Sequence, residues 1–183
     1  CGCIALNSGI AAGAVAIAIP EIPFDAEAAI EKIKSVKADG KRGMIVVVSE
    51  GVKTADGQPI GEFLTKQIEA ETGIETRFAR FAHIVRGGSP TLRDRLTATQ
   101  MGAKAVELLL EGRSDMVICE IDGVIKPVEI NFSLILDRMY KNKLKDGDLD
   151  AFTPEQIAQM KEICAKRSEE IRHMYELSHT ICK

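Results

Sequence analysis

Gly43-Met44-Ile45-Val46-Val47-Val48 is the stretch that decides the fold. A glycine opens it, and an uninterrupted run of branched apolar side chains follows. That pattern reads as a strand buried on both faces, the kind that parallel sheets carry. Upstream, Val15 to Ile19 is a second short apolar run, ended by Pro20. Between the two, Asp25 is placed to cap a helix along which Ile30, Ile33 and Lys37 step, with Gly40 stopping it. Downstream come a loop with Asp56-Gly57 and a helix from about Pro59 to Thr72, closed by Gly73. Proline at its start and glycine past its end follow the usual asymmetry of helix termini.

Thr76 to Ile84 reads as a further strand. After the glycine-rich turn Arg86-Gly87-Gly88-Ser89-Pro90-Thr91, a long helix is predicted to reach Glu111. Leu92, Leu96, Thr99, Ala103, Val106 and Leu110 recur along it at steps of three and four and are predicted as its packed face. Met116–Ile121 and Val124–Ile130 flank Asp122-Gly123 and read as a hairpin, with Pro127 placing the second strand at an edge or bulge. The alternation predicts an α/β fold: a three-layer sandwich with a mostly parallel sheet, plus a C-terminal helical extension. Residues 1–130 are expected to form the α/β domain and 131–183 the extension. In the extension Asn131–Asn142 reads as a helix and Lys141–Asp150 as a charged loop. Thr153-Pro154-Glu155-Gln156 is a capping box opening a helix with the stripe Ile157, Met160, Ile163/Cys164, Ile171, Met174 and Leu177. The chain begins without Met, inside what reads as a helix over Cys1–Ala14, so the domain is expected to start part-way through and the chain to be a fragment.

Composition narrows the function classes. With 183 residues, 45% of them hydrophobic and 28% charged, the chain can bury a core without disulfide staples. A net charge of −3 and an aromatic content of 4% with no Trp argue against a nucleic-acid partner. The longest apolar run, Ala11 to Pro20, is too short for a membrane span, so the location expected is the cytoplasm. Cys1, Cys3, Cys119, Cys164 and Cys182 are odd in number and scattered, and read as reduced thiols. No second ligand pair accompanies Cys1-x-Cys3, so no metal site is predicted; His173 and His179 do not share a helix face and read as solvated.

One segment concentrates the chemistry: Arg77-Phe-Ala-Arg80-Phe-Ala82-His83-Ile84-Val85-Arg86-Gly87-Gly88-Ser-Pro-Thr-Leu-Arg-Asp94-Arg95. In an α/β sheet, ligands sit at the carboxyl ends of strands. Arg77, Arg80, His83 and Arg86 make a dense cationic group, Gly87 and Gly88 allow close backbone approach, and a helix start follows. An anion suits that set, because guanidinium grips phosphate in a bidentate fork. The same residues also fit a plain loop in which Arg77 and Arg80 pair with Glu75 or Asp94.

The segment resembles the signature of the 6-phosphofructokinase family, matched at Arg77, Ala82, His83, Arg86, Gly87, Gly88, Asp94 and Arg95 and departing at Val85. Ile19-Pro20-Glu21, Ser49-Glu50-Gly51 and Ala105-Val106-Glu107-Leu108-Leu109 resemble the family in the same order, so the likeness runs from Cys1 to about Ile130. It implies an enzyme that phosphorylates fructose 6-phosphate at O1, giving fructose 1,6-bisphosphate in glycolysis, and that this chain is its sugar-phosphate-binding half. His83 and Arg86 would bind the 6-phosphate, Arg77 would reach a neighbouring subunit's site, and Glu50 would accept hydrogen bonds from sugar hydroxyls; otherwise Glu50 is a solvated loop acid. Asp94 and Arg95 would hold the helix start.

The resemblance also implies what this chain lacks. The family's Met-Gly-Arg, its glycine-rich nucleotide and magnesium loops and its catalytic base precede the position of Cys1. ATP and Mg2+ are therefore expected on the parent enzyme, and no catalytic or metal-ligating residue and no turnover on this chain alone. Lys41, with Arg42, falls where bacterial members bind ADP or phosphoenolpyruvate, but Val15 and Asp39 replace expected contacts, so a weak or absent ADP response is expected. The expected parent is a homo-oligomer, a tetramer in the family. Two other readings are a pyrophosphate-dependent relative and a non-catalytic sugar-phosphate-binding domain.

Overall fold

In the computed structural model, which describes residues 2–181, helix α1 spans Gly2–Ala11 and strand β1 Ala16–Ala18; helix α2 spans Ala26–Ala38 and strand β2 Val46–Val48. The valine run is thus the strand expected. It pairs in parallel with β1, Ala16 opposite Val46, Ile17 opposite Val47 and Ala18 opposite Val48. Helix α3 covers Ile60–Thr72. A 3-10 turn at Ala82–Val85 and helix α4, Leu92–Leu110, follow. Strands β3 (Met116–Ile121) and β4 (Val124–Glu129), then helices α5 (Ile130–Tyr140) and α6 (Pro154–Ile181), complete the order. The architecture is α/β, with a parallel sheet and a C-terminal helix.

The chain forms two compact units. One takes the residues up to Arg80 together with those from Lys166 onward, and the other runs from Phe81 to Ala165. In the first, Val15, Ala18, Ile30, Ile33, Val52, Ile60, Leu64 and Ile68 make the core, joining α2 and α3 to one face of the strand pair. Each of the valine, isoleucine and leucine side chains among them contributes roughly 1.5–3 kcal/mol on burial. The pleat turns Ile17 the other way, towards α1. There a Cβ on Gly9 would lie 2.5 Å from Ile17 Cδ1, so glycine lets α1 ride close to the strand. Helices thus cover both faces of the pair. The Asp25 carboxylate accepts from Ala28 N–H at 2.9 Å, capping α2, and α3 ends on Gly73 at φ 65°.

In the second unit, Asp122 and Gly123 both have positive φ, 52° and 76°, which makes the tight turn that Asp-Gly favours. The hairpin pairs Met116 with Glu129 and Ile118 with Pro127. Phe132, Ile135 and Met160 form its core, with Val128 and Phe152 packed against them. The Glu129 carboxylate caps α5, accepting from Asn131 N–H at 3.0 Å and Phe132 N–H at 2.6 Å. The capping box of α6 is closed by Gln156 N–H to Thr153 Oγ1 at 3.3 Å and Thr153 N–H to Gln156 Oε1 at 2.9 Å. Helix α5 packs on the hairpin, within the same unit.

Two expectations are corrected. Thr76–Ile84 is not a strand: residues 76–81 have no ladder partner among the described residues, and 82–85 wind into the 3-10 turn. A strand exists only by pairing, and the parallel sheet here consists of β1 and β2. The second correction concerns α4. Leu92, Leu96, Val106 and Leu110 are 82%, 54%, 55% and 85% exposed, and the side turned inward is Thr97, Met101, Lys104, Ala105 and Leu108. The helix carries apolar residues on more than one side, and periodicity cannot tell which side finds a neighbour. Here β3 packs against it, and Leu108 is the residue buried.

Candidate functional site

Because β1 and β2 run parallel, their carboxyl ends share one edge, and that edge carries Ile19-Pro20-Glu21 and Ser49-Glu50-Gly51. Ser49 extends the ladder, its N–H donating to Ala18 O at 2.9 Å, while Val52 N–H donates to Ser49 O at 3.1 Å and turns the chain. A Cβ on Gly51 would meet Pro20 Cβ and Cγ at 3.2 Å, so the two loops touch. The start of α1 reaches the same edge: a Cβ on Gly2 would fall on the Glu21 carboxylate. Glu50 is exposed there, free to accept hydrogen bonds from a hydroxylated ligand. Beside it, Ser49 is buried, and its Oγ has no hydrogen-bond partner among the described residues. The sequence marks Ser49 only as part of Ser49-Glu50-Gly51; the packing is what marks its hydroxyl.

Arg77 is also in the first unit. Its Nε and Nη2 both donate to Glu75 Oε1, at 3.0 and 2.7 Å, in an exposed pair. The Arg80 guanidinium lies 5.8 Å from the centre of the Phe78 ring. That ring presses on the first turn of α3, where a Cβ on Gly61 would stand 2.5 Å from Phe78 Cε2. Contact with α3, rather than a strand ladder, therefore seats this segment.

His83 and Arg86 belong to the second unit, and both are exposed. Ala82 enters the 3-10 turn at φ 45°, and Arg86 N–H closes it on His83 O at 3.0 Å. Gly87 and Gly88 follow at φ 90° and 94°, backbone that side chains rarely adopt. The chain then enters α4 through a capping box. Asp94 N–H donates to Thr91 Oγ1 at 3.2 Å, while Thr91 N–H and Oγ1–H donate to Asp94 Oδ2, each at 2.8 Å. The Thr91 N–H, then its hydroxyl, holds the Asp94 carboxyl below the usual aspartate range. Arg95 Nε donates to Pro90 O at 3.4 Å. Asp94 and Arg95 thus shape the loop and the helix start.

Of the residues predicted to bind a sugar phosphate, Glu50 and Arg77 lie in one unit and His83 and Arg86 in the other, all four exposed. Lys41 is half-buried at the corner after α2, its N–H donating to Val36 O at 3.1 Å. An imidazole and a guanidinium on one glycine-flanked turn can grip a dianion, and a carboxylate at a strand end can hold hydroxyls. Among the described residues no three His, Cys, Asp or Glu side chains gather as a metal site. Among the described residues Cys3, Cys119 and Cys164 are not joined in disulfides; Cys1 and Cys182 lie outside the described residues. No helix among those residues is long and apolar enough to cross a membrane.

The phosphofructokinase family model matches residues 1–109. The chain belongs to the phosphofructokinase family. ATP-dependent 6-phosphofructokinase 1 of Clostridium perfringens is 44% identical over 144 residues, which are 79% of this chain and 43% of that one. ATP-dependent 6-phosphofructokinase of Clostridium acetobutylicum is 42% identical over 146 residues, 80% of this chain and 44% of its own. Among solved structures, phosphofructokinase of Saccharomyces cerevisiae aligns with a TM-score of 0.69 at 27% identity, over 90% of this chain and 23% of that one. Phosphofructokinase of Pichia pastoris in the T-state aligns with a TM-score of 0.65 at 27% identity, covering 88% of this chain and 20% of its own. The chain therefore spans less than half the length of the curated phosphofructokinases it matches.

Proposed function

We propose that this chain supplies the sugar-phosphate grip of an ATP-dependent 6-phosphofructokinase, which transfers the γ-phosphoryl of ATP to O1 of fructose 6-phosphate. The observation that carries the reading is the family match over residues 1–109, which includes the whole Arg77–Arg95 segment. The names of the clostridial relatives favour ATP as donor. His83 and Arg86 hold the 6-phosphate, and Glu50 accepts hydrogen bonds from sugar hydroxyls. Arg77 serves a neighbouring subunit's site in a homo-oligomer, which requires it to leave Glu75. Lys41 belongs to an effector site. Phosphoryl transfer depends on positioning and on cationic and metal stabilisation of the moving group. ATP and Mg2+ are held by residues outside this chain, which therefore does not turn over alone.

Calorimetric titration with fructose 6-phosphate tests the reading, with Arg86→Ala alongside. Loss of a charge-assisted phosphate contact costs roughly 1.5–3 kcal/mol, a drop in affinity of about ten- to a hundredfold. Equal binding by Arg86→Ala and the unmodified chain would remove Arg86 from the phosphate site.

A further inference from the structure

Ser49 carries one of the buried hydroxyls of this fold. Ser178, also buried, donates to Tyr175 O at 2.6 Å. Thr65 donates to Gly61 O at 2.8 Å, Thr72 to Ile68 O at 2.6 Å and Ser133 to Glu129 O at 3.1 Å. Ser49 is only 5% exposed, and its Oγ is sealed from solvent without a partner among the described residues. A buried hydroxyl left unpaired destabilises the protein, and native structures keep few such groups. Its backbone is fully engaged, through Ala18 O and Val52 N–H, so the residue itself is firmly placed.

The neighbours of Ser49 give its hydroxyl a use. Glu50 is the next residue, exposed at the carboxyl end of β2. Gly51 N–H has no backbone acceptor among the described residues. A serine hydroxyl can accept from the N–H two residues on, which tightens the turn that both flank. Gly51 already lies against Pro20 at the distance where a Cβ would crowd, so the turn has little freedom to move towards β1. An unused acceptor, an unused donor and the carboxylate between them sit within one four-residue turn.

We propose that Ser49 is a positioning residue for Glu50: its hydroxyl, unpaired in the free chain, bonds within the 49–52 turn when Glu50 takes up a sugar hydroxyl. The inference rests on the reading of Glu50 as a sugar-binding residue. It makes two effects of one substitution oppose each other. Ser49→Ala removes an unpaired buried hydroxyl, so the free chain becomes no less stable. The same change removes the bond formed in the liganded turn, so affinity falls. A merely structural serine would lower both.

The experiment compares the unmodified chain with Ser49→Ala, Ser49→Thr and Glu50→Gln. It measures the thermal midpoint without ligand and the affinity for fructose 6-phosphate by calorimetry. The expected result is an unchanged or raised midpoint for Ser49→Ala with affinity weakened roughly five- to tenfold, the scale of one neutral hydrogen bond. Ser49→Thr, which keeps the hydroxyl, recovers most of that affinity. If Glu50→Gln weakens binding while Ser49→Ala binds as the unmodified chain does, the inference is overturned and the sugar site stands. A lowered midpoint for Ser49→Ala also overturns it, because the hydroxyl would then be structural. If the unmodified chain does not bind, or Glu50→Gln leaves binding unchanged, the reading of Glu50 fails and takes the inference with it.

Discussion

The backbone N–H of Arg86 donates to the carbonyl of His83 at 3.0 Å, so the imidazole and the guanidinium stand at the two ends of one hydrogen-bonded turn. The two glycines after it hold the turn's exit in backbone closed to most side chains.

Gly87→Ala and Gly88→Ala test that exit. Nothing lies within 4 Å of a Cβ at either position, so the cost is conformational alone. Each variant is expected to lose roughly 1–2 kcal/mol in urea denaturation. An unchanged midpoint would show that the positive φ is not held in solution.

The exposed Glu75–Arg77 pair should contribute little to stability. Glu75→Gln is expected to shift the unfolding free energy by less than about 0.5 kcal/mol. A loss of about 2 kcal/mol or more would mark the pair as a real fastening of the segment. Fructose 6-phosphate titration of the same variant reads whether releasing Arg77 helps the ligand.

Asp94 makes the start of α4 sensitive to acid. Its carboxyl is held below the ordinary aspartate range by the Thr91 N–H and hydroxyl, so the cap stabilises the fold above roughly pH 3.9, the unperturbed value. That contribution is lost as pH falls through the lower folded-state value. Thermal midpoints from pH 5 to pH 2.5 should therefore fall more steeply for the unmodified chain than for Asp94→Asn. Parallel curves would refute the cap's role.

His179 gives a second pH dependence. Burial, and then the charge of Lys32, push its imidazole below the usual value, and its ring meets Tyr175 edge-on at 4.7 Å. The folded state favours neutral histidine, so this stability is complete above roughly pH 6.5 and lost as pH falls through the lower folded value. His179→Gln should flatten the change in thermal midpoint between pH 7.5 and pH 5. If it leaves the slope as it was, another group titrates there.

The two sides of α4 can be told apart by truncation. Leu108 is 2% exposed and Leu110 is 85% exposed. Leu108→Ala should cost about 2–5 kcal/mol and Leu110→Ala under about 0.5 kcal/mol in chemical denaturation. Equal losses would return Leu110 to a packed face.

Local chemistry is legible wherever one residue type dictates it. Asp25 and Thr153 cap the helices their positions predict, and Asp122-Gly123 turns the hairpin. The motif Arg77–Arg95 points to the family whose model matches residues 1–109. The segment before His83 is not legible in this way. Thr76 to Ile84 has strand-like composition, but a strand also needs a partner edge, which lies outside its own sequence.

By itself the sequence determined the elements that depend on near neighbours: caps, tight turns, the apolar run at β2, and the family signature. Tertiary structure alone decided which side of α4 is covered, that residues 76–81 join no strand ladder among the described residues while Phe78 is seated on Gly61, and that the Ser49 hydroxyl is buried without a partner among the described residues. The physical reason is one of range. Capping and turn preferences act over three or four residues, whereas burial depends on what distant parts of the chain bring alongside, and no local pattern encodes that.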